Sequence, residues 1–148
     1  MKRKSKIIFF ALFSVVFFVS CSKSDSTKPK PDGNGSFVFQ GTTYTGKCTS
    51  VKSANNSSNI NVSILGTTNV AIIIYNMPQA SSGTAAFVDG FTNINSATNL
   101  YAFVGGKYST VAGGSMTKTG VNTFTFSCQL YYLLEPNTKY TVTGSGTY

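Results

Sequence analysis

From Ser36 onward apolar and polar positions alternate with a period of two, the spacing of a β-strand that buries one face. Phe37 and Phe39 alternate in a first strand, and Gly41-Thr42 turns the chain into a second, Thr43 to Val51. Lys52 to Ser58 is a polar loop. Ile60, Val62 and Ile64 then alternate with Asn61 and Ser63, as a half-buried strand should. After a turn at Gly66 to Asn69, Val70 to Tyr75 is apolar at every position but its last, which predicts a central strand covered on both faces and ended by Pro78. Ala85 to Val88 and Phe91 to Ile94 flank Asp89-Gly90, the signature of a type I′ hairpin. Leu100 to Val104 is another strand. Thr119-Gly120 turns Met116–Lys118 into the run from Val121 to Leu130, Glu135-Pro136-Asn137-Thr138 suits a type I turn, and Lys139 to Tyr148 forms the last strand. No helical periodicity of useful length interrupts this pattern. The expected fold is all-β: an antiparallel β-sandwich or flattened β-barrel of about nine or ten short strands, mostly meander or hairpin connected.

The first residues follow another pattern. Lys2, Arg3, Lys4 and Lys6 precede the apolar and small run Ile7 to Ser20. A bilayer-spanning helix needs about 20 apolar residues, so this run suits the h-region of an export signal. Phe18-Val19-Ser20-Cys21 resembles a bacterial lipobox, with Phe18 where leucine is usual. That resemblance implies cleavage after Ser20 and lipid attachment at Cys21, and several acyl chains hold a protein on a membrane nearly permanently. Ser22 to Gly35 has no aliphatic or aromatic residue to bury, so it reads as a tether. Its Asp25-Ser26-Thr27 looks like an O-glycosylation site used by Bacteroidota. The expected organisation is a signal peptide over 1–20, a lipid-anchored linker over 21–35 and an all-β domain over 36–148.

Half of the net charge of +8 belongs to the leader, through Lys2, Arg3, Lys4 and Lys6. The domain carries Lys47, Lys52, Lys107, Lys118 and Lys139 against Asp89 and Glu135, with no arginine. Scattered lysines without a planar guanidinium make a poor nucleic-acid surface.

FVFQGTTYTG near residue 37, TKTGVNTFTFSC and the closing YTVTGSGTY resemble the small all-β lipoproteins of Bacteroidota, a group to which no activity is assigned. The resemblance implies an outer-membrane lipoprotein on the periplasmic face or the cell surface, often near glycan-handling systems. With Cys21 lipidated, Cys48 and Cys128 remain as an even pair in an oxidising compartment, and a disulfide between them is expected over two buried thiols.

The chain has no histidine. That removes Ser-His-Asp hydrolysis and leaves a cysteine without its usual base, so no catalytic residue, metal site or cofactor is expected. The domain's two carboxylates, Asp89 and Glu135, each fall in a predicted turn, where they face water as turn-formers rather than a glycosidic bond. Binding is the better reading. Thr43, Thr45 and Thr49, Thr123, Thr125, Ser127 and Gln129, and Thr141, Thr143 and Ser145 should face outward. Tyr75, Tyr101, Tyr108, Tyr131 and Tyr132 could supply aromatic platforms, and alternation turns Tyr131 out and Tyr132 in. Tyr131, Gln129, Tyr101 and Tyr108 are the candidate ligand-binding residues. The expected role is a non-catalytic protein-interaction or accessory module of the cell envelope; a surface glycan binder and an inhibitor of a hostile enzyme are the alternatives.

Overall fold

The computed structural model describes residues 33–67, 69–89 and 97–148. The signal peptide, Cys21, most of the linker, Gly90 and Phe91 to Ile94 of the expected hairpin lie outside the described residues. Among the described residues there are nine strands: β1 (Gly33–Phe39), β2 (Thr42–Lys52), β3 (Asn59–Leu65), β4 (Val70–Pro78), β5 (Gly83–Ala86), β6 (Asn99–Val104), β7 (Lys107–Lys118), β8 (Thr123–Tyr132) and β9 (Glu135–Thr147).

Every pairing is antiparallel, and the sheet closes on itself. The ring runs β1-β2-β3-β4-β6-β7-β8-β9 and returns to β1 through Phe37↔Gly144. Short β5 sits beside β7 below β6, pairing Gly83↔Lys118 through Ala86↔Ser115. The fold is therefore a closed eight-stranded barrel with one extra strand, and closure leaves few backbone groups at an unpaired edge. Two tight turns follow from positive φ: Gln40-Gly41 (51° and 77°) and Gly105-Gly106 (60° and 81°). Both are two-residue connections of the I′ kind, whose twist matches the strands.

Four expectations are corrected. β1 begins at Gly33, three residues before the expected boundary. β4 is not covered on both faces: Ile72 and Ile74 are buried, whereas Ala71, Ile73 and Tyr75 face outward half-exposed. Residues 107–115, given no strand above, belong to β7, where Ala112 is an extra residue between Val111 and Gly113 and the resulting bulge breaks the alternation. The last hairpin turns at Leu133-Leu134, not at Glu135–Thr138. Tyr132 pairs with Glu135 and Tyr131 with Lys139, so residues 136–138 bulge out of β9. Pro136 lacks an N–H to donate, and a bulge tolerates that.

The barrel interior is filled. Phe37, Ile64, Ile72, Ile74, Leu100 and Leu130 are at most 1% exposed. Buried polar groups gather at the end where β1 starts and β9 finishes. Asn76 accepts from Ser53 Oγ at 2.6 Å and donates to the Ala97 carbonyl at 3.1 Å, and Thr98 Oγ1 donates to the Asn76 carbonyl at 3.1 Å. At the same end the buried Lys118 ammonium donates to the Val121 carbonyl at 2.8 Å and to the Tyr148 hydroxyl, and lies 4.6 Å from the Tyr148 ring centre. Hydrogen bonds and a π-face stand in for the water this charge has lost.

Candidate binding surface

A packed interior leaves the outside of the barrel for recognition. On β8 the side chains of Thr125, Ser127 and Gln129 are exposed while Phe124, Phe126, Cys128 and Leu130 are buried. On β9 Thr141, Thr143, Ser145 and Thr147 are exposed around buried Val142. The register sets these hydroxyl residues side by side. One row runs Thr45, Ser36, Ser145, Thr125, Thr117 and Thr84 across six strands. The next runs Thr43, Val38, Thr143, Ser127 and Ser115.

The candidate tyrosines lie toward the other end of β8. Tyr132 points in and Tyr131 out, as alternation requires. Tyr131 pairs with Thr110, which pairs with Tyr101, so the two tyrosines share one face with a threonine between them. Gln129 is two residues from Tyr131 on the same face. They do not form a coplanar platform. The Tyr101 ring meets Tyr75 edge-on, at 89° and 5.6 Å, while Tyr108, 64% exposed, tilts against Phe103 at 43° and 4.6 Å. The Tyr131 hydroxyl donates to Asp89 Oδ2 at 3.1 Å. Asp89 is thus half-buried and engaged, not a turn carboxylate facing water. Burial first, then the hydrogen bond to and the charge of Asp89, hold the Tyr131 phenol above its usual pKa. Asn99 Oδ1 and Thr110 Oγ1 are buried with no hydrogen-bond partner among the described residues.

At the barrel end reached by the β6–β7 and β8–β9 turns, an apolar pocket of about 340 Å³ is lined by Gly106, Tyr108, Tyr132, Leu133 and Leu134. Leu134 is 95% exposed. Lys107 lies 3.7 Å from Glu135 and 4.8 Å from the Tyr132 ring centre. Sequence reasoning missed this pocket, because a Leu-Leu pair in an apolar run reads as strand rather than as a turn.

The expected Cys48–Cys128 disulfide is not formed: both are buried thiols. β2 and β8 stand three strands apart one way around the ring and five the other. A Cβ at Gly146 would lie 3.0 Å from Cys48 Sγ, whereas Cys128 pairs with Val142, four residues along β9. That offset is about 13 Å along a strand, and a bridge needs Cα atoms within about 7 Å. Burial pushes the Cys128 thiol up to about 12 from 9.0, so it stays protonated. In the folded protein iodoacetamide at pH 8 should leave both cysteines unmodified, and both should react in urea; a linked peptide in an unreduced digest would contradict this. The same shift predicts alkaline weakening. Above pH 9 the unfolded thiol ionises while the folded one does not, so each pH unit between 9 and 12 should remove about 1.4 kcal/mol, read from urea midpoints.

Comparison with protein families, with curated proteins and with solved structures finds no match. Among the described residues no group of three or more His, Cys, Asp or Glu side chains could hold a metal ion. The surface geometry is therefore what bears on function.

Proposed function

We propose that this chain is an exported, lipid-anchored lipoprotein of the outer membrane that works by non-catalytic binding through the outside of its barrel, as an interaction or accessory module of the envelope. The observation that carries the reading is the solvent-facing apolar end. Leu133, Leu134 and Tyr108 are 41%, 95% and 64% exposed around a pocket with few polar groups, the composition of an interface core rather than of an ordinary hairpin tip. Antiparallel alternation puts this end opposite Gly33, where the chain leads back toward Cys21. A barrel tethered there presents its apolar end away from its membrane.

Two results test this. Cys21→Ser should abolish incorporation of labelled palmitate and move the protein from the membrane pellet to the soluble fraction; unchanged pelleting would remove the anchor. A photo-cross-linker at Leu134 in intact cells should give one discrete adduct that disappears when Leu133 becomes aspartate. Equal labelling from a control position at Thr49 would rule out the apolar end as the contact.

A second reading, a surface glycan binder, is favoured by the hydroxyl rows on β1, β2, β7, β8 and β9.

A further inference from the structure

We infer that the hydroxyl rows form a groove that binds a neutral, hydroxyl-rich polysaccharide chain; this rests on the glycan-binding reading and gives it a site other than the candidate tyrosines.

The groove has a structural cause. Inside the barrel, beneath these rows, β1 and β9 carry Gly35, Gly144 and Gly146. A Cβ at Gly144 would come within 2.4 Å of the Phe126 ring, one at Gly146 within 2.8 Å of the Phe124 ring, and one at Gly35 within 2.7 Å of Ile64. With no side chain to hold it off, this wall sinks onto the core. Over this wall lie two adjoining, shallow and widely open depressions of about 710 and 490 Å³. Ser36 and Ser145 stand near the middle of the first row and Ser127 and Ser115 at one end of the second, where Val38 alone interrupts the hydroxyls. Serine has the shortest side chain that still carries a hydroxyl.

The chemistry selects the ligand class. Neighbouring strands repeat the hydroxyls every ~4.8 Å, and the rows lie ~7 Å apart along the strands. Each hydroxyl both donates and accepts, which suits sugar hydroxyls. Lys47 lines one edge of the larger depression, but no residue in either row is charged, so a carboxylated or sulfated chain would lose water for one ion pair at most. A shallow, open floor crossed by rows of hydroxyls from β2 to β7 suits a single chain lying across the strands.

The test uses the full-length lipoprotein in detergent, probed against neutral linear glucans, mannans and galactans and against carboxylated and sulfated chains. Ser145→Tyr and Ser127→Tyr fill the groove; Thr125→Ala and Thr143→Ala remove hydroxyls without adding bulk; Tyr131→Ala tests the tyrosine face. All are checked for native circular dichroism. Binding to a neutral chain should weaken at least tenfold in each filling variant and severalfold in each alanine variant, and hold in Tyr131→Ala. If a filling variant misfolds, the alanine pair decides. Binding lost in Tyr131→Ala but kept in the groove variants overturns the groove while leaving glycan binding in place. Preference for charged chains overturns the ligand class. No binding by folded protein overturns both the groove and the glycan reading, and leaves the apolar end as the contact.

Discussion

Replacing Phe124 with alanine should destabilise the barrel by about 3–5 kcal/mol, the range for deleting a buried phenylalanine. Phe124 is 1% exposed, lies over Gly146, its partner in the ladder, and faces the Phe126 and Tyr148 rings at 6.3 and 6.1 Å. Glycine on the facing strand offers no side chain to fill the space, so little collapse can offset the cavity. Domains have about 5–15 kcal/mol in total, so the variant should stand near its unfolding threshold at 25 °C. Urea denaturation should show the midpoint falling with an unchanged slope. A loss below 1 kcal/mol would mean that this wall is loosely packed, and would undermine the origin given for the groove.

Gly144→Ala should be more damaging than alanine at Gly35 or Gly146, at about 3 kcal/mol, the top of the usual range for overpacking. Its Cβ would meet the Phe126 ring at 2.4 Å and the Ser36 carbonyl oxygen at 2.6 Å. The ring could turn aside. The carbonyl belongs to the β1–β9 ladder and cannot move without breaking the seam that closes the barrel. Gly41→Ala is the matched control. Nothing lies within 4 Å there and only the positive φ of 77° is at stake, so about 1–2 kcal/mol is expected. A loss at Gly144 no larger than that at Gly41, compared by thermal or urea unfolding, would show that the wall yields to the added carbon and that close approach does not require glycine there.

Most of the strands could be read from the chain because a barrel wall buries one face and wets the other. Phe37 and Phe39, Ile60 to Ile64 and Phe124 to Leu130 all alternate cleanly for that reason. Where alternation failed, backbone irregularity was the cause. The bulge at Ala112 shifts the register inside β7 and hid it, and a bulge at 136–138 made Glu135-Pro136-Asn137-Thr138 look like a turn. The outward hydroxyls were legible one strand at a time. Their alignment into rows was not, since Ser36 meets Ser145 only through a pairing of strands from opposite ends of the domain. Alternation turned Tyr131 and Gln129 outward one strand at a time, but ring orientation and the Tyr131–Asp89 hydrogen bond depend on neighbours brought in by the fold.

Local chemistry alone determined that this domain is all-β and antiparallel, which residues face inward, and that histidine chemistry is closed to it, because side-chain period and residue inventory are properties of the chain itself. Tertiary structure decided the rest. Closure came from the β1–β9 and β7–β8 seams, the separation of Cys48 from Cys128 from the ring order, the dent from glycines lying under aromatic rings, and the apolar end from two turns meeting in space. Each depends on contacts between residues far apart in sequence, and no local pattern carries them.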